Sequence, residues 1–248
     1  MRTGHAAHFL MDRLILNCDL GEDEPIERTD ELLSLVDAAN ISCGYHAGNF
    51  EKTGTALKLA QKHGVKIGAH PGIPIDGGRG SGEIDPTEFR NLLDLQLGTF
   101  QETARSLGVS VAHVKLHGSL YHAVERNLDL AETYLDFLSQ APQPLAVFSL
   151  AGGSLVAAAE ARGLELYQEA FADRDYQSNG SLVPRSEPGA LLTAAEAIRR
   201  IALWQDSGKL PIGSGQRIDL CANTLCVHAD STEALELLRQ LRLLYHLP

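Results

Sequence analysis

No stretch of this 248-residue chain is apolar for long enough to span a bilayer, which takes about 20 residues as a helix, so an integral membrane protein is not expected. The start, MRTGHAAHFLMDR, is interrupted by histidines and lacks an apolar run of signal-peptide length. Met11 could serve as an alternative start, and residues 1–12 are expected to be a flexible N-terminal extension. Cysteine is sparse: Cys18, Cys43, Cys221 and Cys226 form no CxxC pair and no disulfide scaffold, which fits a reducing cytoplasm. Positive charge is also scarce, with 21 Lys and Arg against 32 Asp and Glu and a formal net charge of −11. Neutralising phosphates needs clustered cations, so nucleic acid is excluded as a partner. There is no GxxxxGK[ST] phosphate loop, no GxSxG nucleophile elbow, no linker, no low-complexity tract and no internal repeat. The glycines of GSGQRIDL (213–220) have no lysine after them.

What remains is an ordinary globular composition, 44% hydrophobic and 21% charged, in a chain long enough to bury a full core. Short apolar runs at 13–18, 36–43, 65–70, 111–117, 145–150, 164–170 and 224–228 read as strands. Helical patterns fall between them, at 51–63, 86–107, 127–140, 153–162, 188–207 and 231–245. DPTEF starts one helix, with Asp85 as N-cap, Pro86 at the first position and Glu88 at the third; ADSTEALELL repeats the signal near the end of the chain. Strands separated by helices imply parallel pairing, and about seven such units in about 250 residues suggest a barrel related to the eight-stranded kind. The expectation is a single barrel domain over residues 13–248, with a doubly wound open sheet as the alternative. The Gly-rich PGIPIDGGRGSG (71–82) is expected to be a mobile loop over one rim.

The chemistry-bearing residues gather at the C-terminal ends of these strands. The first supplies Asn17, Asp19 and Glu22; the second, Asn40, Cys43 and His46; the third, His70; the fourth, Lys115 and His117. The sixth leads into Glu169, Asp173 and Arg174, and the seventh gives His228 and Asp230. In a parallel barrel those ends meet at one mouth, where barrel enzymes keep their sites. Taken singly, each has a plainer reading: a hydrogen-bonded core histidine, a lysine paired with a carboxylate, an aspartate capping a turn, a buried cysteine. Convergence of six segments is what argues for function. The run VAHVKLHGSLYH (111–122) is the densest. As a strand it puts His113, Lys115 and His117 on one face, and four residues then span about 13 Å, too far for one metal to bridge His113 and His117 directly. His113 is therefore expected deeper and structural, with Lys115 and His117 at the working end. Methionine at 115 would keep the side chain's length and most apolar contacts, so the fold is expected to tolerate Lys115→Met.

LNCDLGE, ANISCGYHAG, GVKIGAHPG, HVKLHGSLYH, EAFADRDYQSNGSLVPRSEPGA and LCVHAD, in this order from Leu16 to Asp230, together resemble the LamB/YcsF family. That resemblance implies a distorted seven-stranded β/α barrel of the glycoside hydrolase/deacetylase kind. It implies one component of a 5-oxoprolinase that opens 5-oxoproline to L-glutamate with ATP as co-substrate, in a complex with two others, the B and C subunits. The family's motif residues fall on Asp19, Glu22, Asn40, His46, His70, Lys115, His117, Asp173, Arg174, Arg185 and His228. DEPIER follows DLGE where such families usually have a glycine–aromatic–glycine segment, and the loop after GAHPG is shortened.

The residues suit that chemistry. Asp19, His46, His70, Lys115 and His117 are the catalytic candidates; Asn17, Glu22, Asn40, Asp173, Arg174, Arg185 and His228 are the substrate-binding ones. Lys115, Arg174 and Arg185 could hold phosphate and a substrate carboxylate, the histidines could exchange protons near neutral pH, and Asp19 could orient a histidine or receive a proton. No metal ligand set is assigned, although a metal-dependent amide hydrolase or deacetylase, using Asp19 with two of His46, His70 and His117, is an alternative reading. The others are a Schiff-base lyase on Lys115 and a non-catalytic substrate-binding or regulatory subunit.

Overall fold

The chain, a computed structural model, is described over residues 13–74 and 83–245; the expected extension at 1–12 and most of the Gly-rich loop lie outside the described residues. Seven parallel strands close into a barrel in the order β1 (Ile15–Leu20), β2 (Ala38–Ser42), β3 (Lys66–His70), β4 (His113–Val114), β5 (Ala146–Leu150), β6 (Leu166–Phe171) and β9 (Thr224–Cys226). β9 pairs with both β6 and β1, which closes the ring and disposes of the open-sheet alternative. A two-stranded antiparallel hairpin, β7 (Leu210–Pro211) with β8 (Arg217–Ile218), stands apart from it.

Strand alternation sorts the side chains. Leu14, Leu16, Cys18 and Leu20 join the main apolar core beneath the helices, whereas Asn17 and Asp19 turn to the barrel axis. At the N-terminal end the inward side is apolar, with Ala38, Ala146, Phe148 and Tyr167 in their own small cluster against Ile15. Toward the C-terminal end it becomes polar and charged. The helices α2 (Phe50–His63), α3 (Pro86–Ser106), α5 (Leu128–Ser139) and α6 (Ser154–Ala161) lie where the sequence patterns place them, and α7 (Ala194–Ser207) and α8 (Ala234–Leu244) fall within theirs but start later. Asp85 forms the expected capping box with Glu88.

The structure differs from the expected elements at several places. α7 begins at Ala194 rather than near 188, because Thr193 and Glu196 make the capping box there. α8 begins at Ala234 with no side-chain cap, since the Asp230 carboxylate pairs with Arg185 instead. α1 (Ile26–Leu33) and α4 (Gly118–Arg126) are helices the sequence reading lacks; both are short and start without a side-chain cap. The ladder of β4 covers only two residues of the expected seven. The chain nevertheless stays hydrogen-bonded along β3, Lys115 N–H donating to Ala69 O at 3.0 Å and His117 N–H to Pro71 O at 2.8 Å.

His113 lies deep, as expected. Its Nε2 is 2.8 Å from Asn40 Oδ1, and its ring packs on Phe148 with centroids 4.5 Å apart. It fits only because β3 carries glycine at 68: a Cβ there would lie 2.1 Å from the imidazole. Gly68→Ala should therefore cost about 1–3 kcal/mol as an overpacking change, measurable by denaturant unfolding. An unchanged midpoint would show that the ring has room to move.

Candidate functional site

Lys115 sits at the centre of the barrel mouth with 2% exposure. Its Nζ is 2.9 Å from Asp19 Oδ1 and 2.9 Å from Glu169 Oε1, and it donates to Cys226 Sγ at 3.2 Å. Burial alone would lower its pKa, but the carboxylates around it push it well above the ordinary lysine value. Burial likewise works against Asp19, yet Lys115 and His70 hold its carboxyl below the usual carboxylate range. Glu169 shifts the other way: enclosure raises it, with Lys115 pulling against that. Beneath Asp19, Asn40 Nδ2 donates to Asp19 Oδ1 and to Asn17 Oδ1, each at 2.9 Å, and Asn17 Nδ2 donates to Thr224 Oγ1 at 2.8 Å. Asn17 and Asn40 are thus the footing of Asp19.

Beside this ion triad lies a second group. Glu22 Oε1 is 2.9 Å from His117 Nδ1, 3.1 Å from His46 Nε2 and 3.6 Å from His70 Nε2. His117 Nδ1 is also 3.0 Å from His70 Nε2, and the rings of His46 and His117 stack at 4.0 Å. Each member has its own support. His70 Nδ1 donates to Lys115 O at 2.8 Å. Glu22 is set by a loop that Glu24 ties together, accepting from the Gly21 and Glu22 N–H groups and from Thr29, while Lys52 donates to the Glu22 and Glu24 carbonyls. Gly72 presses its backbone against His46 and His117, where a Cβ would lie 2.7 Å from one ring; the buried Gln96 grips its N–H and C=O at 3.0 and 2.7 Å.

On the third side, Asp173 Oδ1 lies 2.9 Å from His228 Nδ1, whose ring stacks on Phe171. Burial opposes a charge on His228, but Asp173 raises its pKa on balance. Arg174 donates to Val183 O at 2.7 Å, and Arg185 pairs with Asp230 at 2.7 Å. A cavity of about 740 Å³ opens over these groups. Asp19, Glu22, Lys115, His117, Arg174, Arg185 and His228 line it, whereas Asn17, Asn40, His46, His70 and Asp173 stand behind that lining. α4 adds His122, Glu125 and Arg126 to the wall. The sequence reading lacked these because it lacked α4, although Leu120, Tyr121 and Val124 in LYHAV carry a helical spacing. Lys115 lines the cavity with its charge shared between two carboxylates.

The buried histidines make the fold acid-sensitive. Burial pushes both His70 and His113 down to about 3, against about 6.5 in an unfolded chain. Between those values the unfolded state binds more protons, so stability falls as pH drops, by up to about 1.4 kcal/mol per pH unit for each ring. Asp19 and Glu22, whose pKa values are lowered, add stability that is present above about pH 4 and lost below it. His228, raised, contributes in the opposite sense, being lost as pH rises above about 6.5. The net expectation is a melting temperature that declines steeply below about pH 6. A flat profile from about pH 7 to 5 would show that these rings are not neutral in the fold.

Comparison with known proteins places this arrangement. The sequence pattern of the LamB/YcsF family matches residues 14–246. A protein of Limosilactobacillus fermentum named as the A subunit of 5-oxoprolinase is 40% identical over 239 residues, covering 94% of this chain and 95% of its own. One of the same name from Pyrococcus furiosus is 37% identical, covering 92% and 91%. The crystal structure of a lactam utilization protein from Thermus thermophilus superposes with a TM-score of 0.84 at 32% identity, over 95% of this chain and 98% of that one.

Proposed function

The chain belongs to the LamB/YcsF family, and on that premise we propose that it is the A subunit of a 5-oxoprolinase, opening the lactam of 5-oxoproline to L-glutamate with consumption of ATP and in company with the B and C subunits. The observation that carries this reading is the end-to-end likeness to relatives of that name in a chain whose barrel mouth concentrates Asp19, Lys115, His117 and His228 around one cavity.

A five-membered lactam is an unstrained amide, so its carbonyl needs activation before water attacks. Phosphorylation of the carbonyl oxygen would supply it and would couple ATP to ring opening. The water loses a proton as its oxygen bonds to the phosphorylated carbon; the C–N bond then breaks and the nitrogen gains a proton. This leaves an acyl phosphate that a second water hydrolyses to the carboxylate and inorganic phosphate. In this reading Asp19 or His117, on the cavity wall, would receive the first proton, and His228, tuned upward by Asp173, would deliver the second. Arg174 and Arg185 supply charge for the substrate carboxylate and for phosphate. Lys115 balances Asp19 and Glu169 and adds positive potential under the reacting carbonyl. At about 740 Å³ the cavity is of the size that takes drug-sized ligands, so the small lactam leaves room for a phosphate-bearing group.

The purified chain without its partners should release no measurable glutamate from 5-oxoproline, with or without ATP. Full turnover by the isolated chain would overturn this reading in favour of a self-sufficient amide hydrolase.

A further inference from the structure

Glu22 and the three histidines around it come from four separate segments: the loop after β1, the loop after β2, the end of β3, and the residue preceding α4. One donor atom from each of Glu22, His46, His70 and His117 falls within 4.8 Å of the others. Three of the close separations, 2.9, 3.0 and 3.1 Å, and a fourth of 3.6 Å bracket the edge of about 3.3 Å expected between ligands of a tetrahedral ion with bonds of about 2.0–2.1 Å. We infer that Glu22, His46, His70 and His117 form a binding site for one transition-metal dication, zinc foremost.

Three features beyond proximity favour it. His70 donates from Nδ1 to the Lys115 carbonyl, so its neutral ring turns the Nε2 lone pair into the cluster, the outer-shell arrangement usual for a metal-bound histidine. His46 and His70 are buried, with 6% and 1% exposure, so bulk water does not compete for their donor atoms. The Gly72 backbone, clamped by Gln96, and the Glu24–Lys52 network hold the ligands from outside, the support a site needs to fix its geometry. The donor set, imidazoles with one carboxylate, suits zinc and its neighbours rather than magnesium or calcium.

The other donors are worse placed. Asp19 spends Oδ1 on Lys115 and Asn40, and although its Oδ2 is 3.6 Å from His70 Nε2, it falls outside the set whose donor atoms all lie within 4.8 Å of one another. Asp19, Cys226 and His228 also approach one another, but the Lys115 ammonium already lies 3.2 Å from Cys226 Sγ and would repel a dication. The metal reading of the sequence thus moves from Asp19 to Glu22.

The test is metal binding, not activity, so it stands or falls apart from the proposed reaction. Chelator-stripped chain would be titrated with zinc by calorimetry and, separately, with cobalt(II), whose visible absorption is intense in tetrahedral sites. One ion per chain is expected, with a tetrahedral cobalt spectrum. His46→Gln and His70→Gln should each weaken zinc by about 100-fold or more, at least the 10–100-fold range seen on losing an outer-shell partner. His63→Gln, a histidine paired with Asp30 outside the cluster, should leave affinity unchanged. Absence of stoichiometric binding, or wild-type affinity in the His46 and His70 variants, would overturn the assignment. Should either variant fail to fold, the cobalt spectrum of the wild-type chain decides: tetrahedral bands support the site, and octahedral or absent bands reject it.

Discussion

Lys115→Met should both destabilise the fold by about 3–5 kcal/mol and lower reconstituted activity by about 10²–10³. The sequence alone suggests that methionine is tolerated, since it keeps length and apolar contact. The structure reverses that expectation for stability. Lys115 is the cation between Asp19 and Glu169, each 2.9 Å away, and removing it leaves two carboxylates facing each other in a buried site. Glu169, whose pKa burial already raises, is the group that should take up a proton in response. Glu169→Gln added to Lys115→Met should therefore recover much of the lost stability while activity stays low. Denaturant unfolding of the single and double variants measures the first effect, and glutamate release by the reconstituted enzyme the second. A Lys115→Met chain as stable as wild type would mean that the triad is not charged as drawn.

Asp19→Asn should act in the complementary way. It removes a negative charge that Lys115 and His70 stabilise but leaves Lys115 balanced by Glu169, so stability should fall by about 1–3 kcal/mol, less than in Lys115→Met. The amide can still receive the Asn40 N–H that now reaches Oδ1. It cannot accept a proton from water, so activity should fall by about 10²–10⁴. Separate melting and activity measurements distinguish the two variants: Lys115→Met loses both properties, Asp19→Asn chiefly one. Near-normal turnover in Asp19→Asn would move the base to another side chain, His117 being the neighbour placed for it.

Particular elements show what the sequence could and could not convey. β1, β2, β3, β5 and β6 are legible within a few residues because apolar runs bounded by turns have few alternatives. The inward row His113, Lys115, His117 is legible from alternation, and each contacts a group across the axis: Asn40, Asp19 and Glu22. α1 and α4 are hidden by short length and missing side-chain caps; α6, equally uncapped, shows through its alanines. The partners of Lys115 needed the barrel's register, since Glu169 and Cys226 lie far along the chain in a strand order no local pattern displays. The place of Glu22 among three histidines depends on a loop shaped by Glu24 and Lys52, whose charges read in the sequence as ordinary surface.

The central claim is that this chain supplies the ring-opening site of an ATP-coupled 5-oxoprolinase. Its most direct test is the simultaneous measurement of glutamate and ADP in a mixture of this chain, the B and C subunits, 5-oxoproline and ATP, with this chain omitted in parallel. The account predicts one glutamate per ADP in the complete mixture and no glutamate when the chain is left out. Glutamate formed at the same rate without this chain, or formed by it with no ADP, would contradict the account.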